Sequence, residues 1–429
     1  MNMAPPRQQH MYEDISVSEV EACIASLNYT EDYQESLLKK EAREITIRLL
    51  ALHAVLNRRT TVNRLPGEIL VEIFNFCRQI SLPSYCWFRV SHVCRRWRQV
   101  ALDSPFLWTC IGLHNAGYVL ACIERSRGMP LSVTFRPSKQ PPDGRFADIL
   151  APEMSRITSL DVETPGCMLE NMLEPDAHTR PLPFDKVTSL RIAESQSTSQ
   201  SSLPTVGGPS YFDSFLASLP CHPHTLKLHG LKIPRNPALF STHLVVLQLS
   251  QPHGTHDLSV SELLYALQRC PSLEDLKLLY TGPSFGAVAG PTPELELPKL
   301  KSLKVLQRQY IPTVDTLARV LVLPFDTRVH IEVDCYAWAE QGDNTMSMQY
   351  YLQRCARSIA GASQLSRLDL RATKGCFEVM GFRNASSELH FLFRFFNLSG
   401  NKSSLSRTDL ETIIGDVFAS CPVQNFCLA

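Results

Sequence analysis

The sequence predicts an α/β chain in three parts: a helical N-terminal segment over 1–60, a compact three-helix unit over 61–112, and an irregular αβ solenoid over 113–429. Two observations carry this reading. In the first quarter of the chain apolar residues recur three and four apart, the period of a helix with one buried face. Beyond it, short runs with alternating leucines return at intervals of about 20 to 40 residues, the range of stacked repeats.

Composition agrees with that division. The 429 residues are 44% hydrophobic and 20% charged, enough apolar material for two or more cores in a soluble protein. Lys+Arg 42 balances Asp+Glu 42, so no global field draws the chain to nucleic acid or to an anionic membrane. The opening MNMAPPRQQHMYED lacks the apolar stretch of a secretion signal, and no run approaches the roughly eighteen apolar residues of a membrane span. A cytoplasmic or nuclear location is expected. The 14 cysteines are scattered through apolar runs without a CxxC pair, as buried thiols in a reducing compartment would be.

In the first part Leu38, Ala42, Ile45, Leu49, Leu52 and Leu56 alternate spacings of four and three, which is heptad spacing. Glu31, Glu35, Lys39, Lys40, Glu41, Arg43 and Glu44 cover the remaining faces. A short coiled coil follows, with packing against the next unit the preferred arrangement and self-association the alternative.

The second part opens at Leu65-Pro66, where proline suits the first helical position because the amide it lacks has no intrahelical acceptor there. Glu68 favours the positive end of that helix. Leu65, Ile69, Ile73 and Phe76 recur at helical spacing, and Leu70 and Phe74 widen the stripe beyond what one small helix hides by itself. A second periodic run, Trp87, Val90, Cys94, Trp97 and Ala101, is interleaved with Arg89, His92, Arg95, Arg96 and Arg98. Ser104-Pro105 then reads as the cap and first turn of Phe106-Leu107-Trp108. Three helices in about fifty residues lie near the lower limit for independent stability.

The order LPGEILVEIF, then VSHVCRRWRQVA, then SPFLW resembles the F-box, and especially F-box-like proteins abundant in mushroom-forming fungi. The resemblance implies a non-catalytic module that docks on a Skp-type adaptor, through which a cullin-RING ubiquitin ligase is reached. By the same resemblance Leu65, Pro66, Ile69, Leu70, Ile73, Phe74, Val90, Cys94, Trp97 and Trp108 stand at the adaptor-binding positions. Six or seven such side chains at about 1.5 to 3 kcal/mol each offer roughly 10 to 20 kcal/mol gross, against an association cost of about 4 to 15.

The third part begins with a helix over Gly117–Ile123 and the strand LSVTF from Leu131. Strand-like segments then recur as ITSLDV at Ile157, VTSLRI at Val187, HTLKLHG at His224, LVVLQLS at Leu244, LEDLKLLY at Leu273, LKSLKV at Leu300, VHIEV at Val329 and LSRLDL at Leu365. Helical signatures ending in a proline stop lie between them, at FLASLPCHP from Phe215, LLYALQRCPSL from Leu263 and DVFASCPVQNFCL from Asp416. Stacking such units completes a core that none closes alone, which makes the whole leucine-rich-repeat-like. A doubly wound sheet is the competing architecture. Two stretches rich in Ser, Gly and Pro, near 193–210 and 281–298, read as surface loops.

The second loop holds Gly282-Pro283-Ser284-Phe285-Gly286, which matches the G-x-S-x-G of a nucleophile elbow. That elbow needs a helix directly after the serine, whose amides complete an oxyanion hole. Gly290-Pro291-Thr292-Pro293 leaves no room for one, so a hydrolase using Ser284 is the remote alternative. Cys221-His222-Pro223-His224 and His253-x-x-His256 lack the paired spacing of zinc ligands, and the chain shows no cofactor fingerprint, so neither metal nor cofactor is expected. Arg95-Arg96-Trp97-Arg98 reads as a solvated helix face rather than a phosphate-binding patch.

The function expected is therefore that of a substrate receptor: a docking module followed by a recognition surface for an unknown protein target. A scaffold that binds the adaptor without a ligase is the alternative from another class.

Overall fold

The heptad-spaced run becomes one continuous helix, α1 (Glu31–Arg59), in the computed structural model of the chain. The structure describes residues 31–80, 84–136, 145–164, 184–194, 215–217, 219–234, 236–251, 260–279, 294–308, 320–324, 326–334, 367–373, 376–382, 389–396 and 425–428. The chain divides into two compact units, Met1–Ser104 and Pro105–Ala429.

In the first unit α1 is exposed along its seam: Leu38, Ile45, Leu49, Leu52 and Leu56 are open to solvent. The expected packing of this seam against the following helices is absent. Ile47 and Leu50, on other faces of the helix, are exposed as well, so apolar surface runs around its second half instead of along one stripe. A 3-10 turn, Thr61–Arg64, leads to α2 (Gly67–Ile80), whose first turn is closed by the Leu70 amide donating to the Pro66 carbonyl at 3.2 Å.

The second periodic run forms two elements rather than one helix. Ser84–His92 is a 3-10 helix and α3 spans Arg95–Leu102. Cys94 between them is extended, at φ −157 and ψ 170, and acts as the N-terminal boundary residue of α3. Phe74 of α2 and Trp97 of α3 meet at a ring-centroid distance of 5.1 Å, which joins the two helices. Ser104 turns backward rather than forward: its hydroxyl donates to the Val100 carbonyl at 2.7 Å, so it closes α3 instead of capping the next turn.

The second unit starts with a 3-10 turn, Pro105–Trp108, and β1 (Cys110–Gly112), followed by α4 (Ala116–Arg125). Asn115 caps α4 by accepting from the Tyr118 amide at 3.1 Å. After β2 (Leu131–Phe135) come α5 (Arg145–Leu150) and a 3-10 turn, Ala151–Arg156. Then follow β3 (Ile157–Thr164), β4 (Ser189–Glu194), β5 (Thr225–His229) and β6 (Val246–Ser250). Helix α6 (Val260–Gln268) precedes β7 (Asp275–Leu279), β8 (Leu295–Glu296), β9 (Ser302–Arg308), β10 (Leu321–Val322) and β11 (Arg328–Asp334). The last strands are β12 (Arg367–Thr373), β13 (Cys376–Phe382), β14 (Leu389–Phe396) and β15 (Asn425–Leu428).

Among the described residues 13 of these strands form one sheet in the order β1-β2-β3-β4-β5-β6-β7-β9-β11-β14-β13-β12-β15. From β1 to β11 every neighbour is parallel and follows chain order. A doubly wound sheet would begin in its middle and reverse, so that competitor is removed. The small strands β8 and β10 pair separately. Period-two alternation explains the core. Leu190, Leu226, Leu247 and Leu276 occupy one register row across β4 to β7 and are all fully buried. Fully burying each such side chain is worth about 1.5 to 3 kcal/mol gross.

The ITSL and VTSL segments reveal a second regularity. Their threonines sit just ahead of the alternating leucines and tie strand to strand, Thr158 Oγ1 donating to the Leu131 carbonyl at 3.3 Å and Thr188 Oγ1 to the Thr158 carbonyl at 3.1 Å. Parallel progression stops at β11, because β13 lies antiparallel to both β12 and β14. Only two residues separate β12 from β13 and six separate β13 from β14, too few for a parallel crossover of a dozen or more. The extra strands β13 and β14 were not expected from the leucine pattern. The helical part of DVFASCPVQNFCL, residues 195–210 and 281–293 of the two expected loops, with Gly282–Gly286, and His253 with His256 lie outside the described residues. Of the rest of those loops, Ala193 and Glu194 end β4 instead, and Leu295–Glu296 form β8 with Leu295 and Leu297 buried.

Candidate functional site

Helix α2 sorts its apolar residues onto two faces. Leu70 and Phe74 point inward and are fully buried, forming the core of the first unit. Ile69, Phe76 and Ile80 are exposed at 47%, 61% and 61%, with Ile73 half-buried between them. Positions 69, 73, 76 and 80 are spaced four, three and four, so they share one face of the helix. Four apolar side chains in a row on a 14-residue helix make a contiguous apolar face rather than scattered exposure.

The other expected contact residues fall into distinct places. Pro66 is exposed, and Leu65, Val90, Cys94 and Trp97 are half-buried. Trp108 is buried in the second unit, where the Arg125 guanidinium lies 4.4 Å over its ring. Burial makes Leu70, Phe74 and Trp108 core residues, which corrects their assignment as direct contact positions. Their apolar character is used inside the fold, and only the neighbouring residues of α2 face outward.

The residue that sequence reasoning missed is Asn63. It is buried at the 3-10 turn before α2, where its amide donates to the Asn57 carbonyl at 2.7 Å. Its Oδ1 accepts from the Trp97 indole at 2.7 Å and from the Cys94 thiol at 3.9 Å. One side chain thus fixes the end of α1, the start of α2 and the indole of α3. A polar residue two positions before the Leu65-Pro66 step was the available signal, and only the fold reveals its burial and its partners. Arg96 also donates to the Leu65 carbonyl and Arg98 to the Ser91 carbonyl at 3.0 Å, so two arginines of the basic run serve as backbone ties.

The F-box-like family model matches residues 62–114, from the turn holding Asn63 to the first strand of the sheet. The chain carries an F-box-like domain. No curated protein matches the chain. The boundary between the two units, Ser104/Pro105, falls inside this F-box-like segment, so its final turn opens the second unit. F-box domains are typically non-catalytic adaptor modules of SCF-type ubiquitin ligase complexes.

The polar face of the sheet is ion-paired. Arg191 meets Asp161 at 2.6 Å, Lys277 meets Asp275 at 2.8 Å, and Lys304 meets Glu332 at 3.1 Å. Cations matched by carboxylates do not make a polyanion track. Burial alone would raise the Glu332 carboxyl, but the hydrogen bond and charge of Lys304, with His330 and Arg394, hold it below the usual range. Burial, aided by Lys304 and Arg394, lowers His330, and burial likewise lowers His114. Burial pushes the thiols of Cys122 and Cys221 up to about 11 and that of Cys270 up to about 12, so these are inert core groups. Among the described residues no group of three His, Cys, Asp or Glu side chains is placed to hold a metal ion. No described helix is long and apolar enough to cross a membrane.

Proposed function

We propose that the protein is a substrate receptor that docks on a Skp-type adaptor of a cullin-RING ubiquitin ligase and presents a protein target through its second unit. The observation that carries this reading is the outward stripe on the F-box-like helix α2, the exposed Ile69, Phe76 and Ile80 with the half-buried Ile73 between them. Roughly half of each side chain remains to be covered, so at about 1.5 to 3 kcal/mol for a full burial the four are worth roughly 3 to 6 kcal/mol gross, and bordering residues must add to this to exceed the cost of association. Pro66 and the half-buried Leu65, Val90, Cys94 and Trp97 border or support that contact.

The mechanism is proximity: holding a target near a ubiquitin-charged enzyme raises its effective concentration, and no bond is made or broken by this chain. The sequential parallel sheet, with one face of buried leucines, fits a leucine-rich-repeat-like solenoid whose loops and polar face contact the target. The buried thiols of Cys122, Cys221 and Cys270 suit a cytoplasmic or nuclear setting.

The test is affinity purification of wild type against Ile69→Asp/Phe76→Asp. Adaptor, cullin and ubiquitylated proteins are expected with wild type, and all three are lost from the variant while target proteins stay bound. Adaptor without cullin or ubiquitylated proteins in the wild-type sample would replace the receptor with a scaffold. Equal adaptor in both samples would remove the docking assignment.

A further inference from the structure

We propose that a cleft at the N-terminal edge of strands β5 to β7 takes the C-terminal carboxylate of a partner polypeptide ending in an apolar residue. Three consecutive connections enter those strands side by side, and between them lies a cavity of about 600 Å³. The volume suits the end of a peptide chain. Its accessible apolar surface comes from Pro237 and Pro271, with Phe240 buried beneath, and its polar lining from His222, Ser241, Thr242, Gln268 and Arg269. No carboxylate lines it.

Arg269 is the decisive residue. Its guanidinium lies 5.7 Å from the centre of the Tyr265 ring and donates to the Tyr265 hydroxyl at 3.4 Å, which orients it without neutralising it. Among the described residues no Asp or Glu pairs with it, in contrast to Arg191, Lys277 and Lys304 on the same unit. An unpaired guanidinium beside three neutral donors is matched by a carboxylate, whose two oxygens accept its parallel N–H groups. Ser241 is set to contribute, since its hydroxyl oxygen already accepts from the His243 amide at 3.4 Å and keeps its own proton to donate.

Helix α6 ends at this cleft, yet its last carbonyls are occupied. Ala266 O accepts from the Arg269 amide at 3.2 Å and Leu267 O from the Cys270 amide at 2.9 Å. The opposite wall is preformed by Asn236, a buried side chain. Its amide nitrogen donates to the carbonyls of Leu216 and Leu219 at 2.7 and 2.9 Å, and its Oδ1 accepts from the Ala238 amide at 2.9 Å. The Ala238 carbonyl accepts in turn from His222 Nδ1 at 3.1 Å. The loop shaping the cleft is therefore held by its own hydrogen bonds before a ligand arrives, which lowers the cost of binding.

Adjacent charge and apolar surface identify the ligand. A C-terminal residue carries its carboxylate and its side chain on one Cα, so the first reaches Arg269 while the second covers Pro237 and Pro271. An internal Asp or Glu would place flanking amides against that apolar surface without partners. A phosphate dianion would meet a single full cation.

The inference rests on the reading of the second unit as the target-binding part. It is tested by fluorescence anisotropy of the purified full chain with fluorescein-labelled decapeptide pools, degenerate inside and ending in Leu or Phe. The free-acid pool is expected to bind, and the C-terminal amide pool to bind about tenfold more weakly, the loss of charge-assisted hydrogen bonds. Arg269→Gln brings the acid pool down to the amide level, and Thr242→Trp, which fills the cleft from an exposed position, abolishes binding of both. Equal binding of acid and amide, no binding of either, or an unchanged Arg269→Gln variant would overturn the inference. Preferential binding of an amidated phosphoserine pool would reassign the cleft to phosphopeptides and equally overturn it. Adaptor binding is measured on the same preparations. Peptide binding lost with adaptor bound defeats this inference alone, and adaptor binding absent with peptide bound defeats only the receptor reading.

Discussion

Helix α2 and the strand β7 use the same kind of side chain in opposite ways. In α2 the buried Leu70 and Phe74 sit next to exposed Ile69, Phe76 and Ile80, so a short helix carries more apolar surface than its unit covers. In β7 Leu276 and Leu278 are both fully buried, and the alternating Asp275 and Lys277 pair with each other on the outer face. The strand spends its hydrophobicity inside the fold, while the helix keeps part of it outside. On the proposed reading, a dry apolar contact suits a partner that is always the same. A polar, ion-paired face with an edge cleft suits recognition of one target among many, because mispaired charges penalise the wrong one.

Breaking the buried half of that comparison has the largest effect. Phe74→Ala is expected to destabilise the first unit by about 3 to 5 kcal/mol, read from denaturant unfolding, with loss of the Trp97 ring contact. Phe76→Ala, two residues away and exposed, is expected to change stability by no more than about 0.5 kcal/mol. Equal losses from the two would erase the distinction between the faces of α2. In the sheet, Leu276→Ala should cost about 2 to 5 kcal/mol without altering adaptor binding, because it lies in the second unit.

A smaller effect is expected at the polar joint of the first unit. Asn63→Ala leaves the half-buried Trp97 indole without its acceptor, a cost of about 1 kcal/mol. A fall in melting temperature with the Trp97 fluorescence shifted toward that of a wetter indole is the expected readout. Asn63→Asp, which retains the acceptor, should recover part of the loss.

The smallest effect is the dependence on pH. His330 and His114 have folded-state pKa values below the ordinary one, so the unfolded chain takes up protons first as pH falls. Their contribution is complete above about pH 6.5 and is lost on acidification through the lowered values. Glu332 acts in the same direction further down, contributing above the ordinary carboxylate range and losing that contribution as its depressed pKa is passed. Thermal melts between pH 7 and 4 should show falling stability of the second unit, with the low-pH part of the fall reduced in Glu332→Gln. A melting temperature that rises with acid would contradict this.

The sequence revealed the local parts of the molecule and not the distant ones. The F-box pattern was legible because LPGEILVEIF and VCRRWRQVA place apolar side chains by short-range helical spacing. Spacing shows that Ile69, Leu70, Ile73, Phe74 and Phe76 are apolar, but not which of them another element covers. That is why Leu70 and Phe74 were grouped with the contact residues. The eight leucine-periodic segments were legible as strands, since alternation needs only five residues. Strands β13 and β14 escaped because aromatic runs such as HFLFRFF do not follow the LxL pattern of the repeats. The edge cleft was invisible, being assembled from residues 237–242 and 268–271, whose proximity depends on the pairing of β6 with β7.

The central claim is that the outward stripe of α2, rather than the helix as a whole, is the docking surface. Calorimetric titration of the purified chain with a purified Skp-type adaptor tests it directly, comparing wild type with Ile69→Asp/Phe76→Asp and confirming the fold of each by unfolding curves. The account predicts a measurable complex for wild type and none for the equally stable variant; undiminished binding by that folded variant would contradict it.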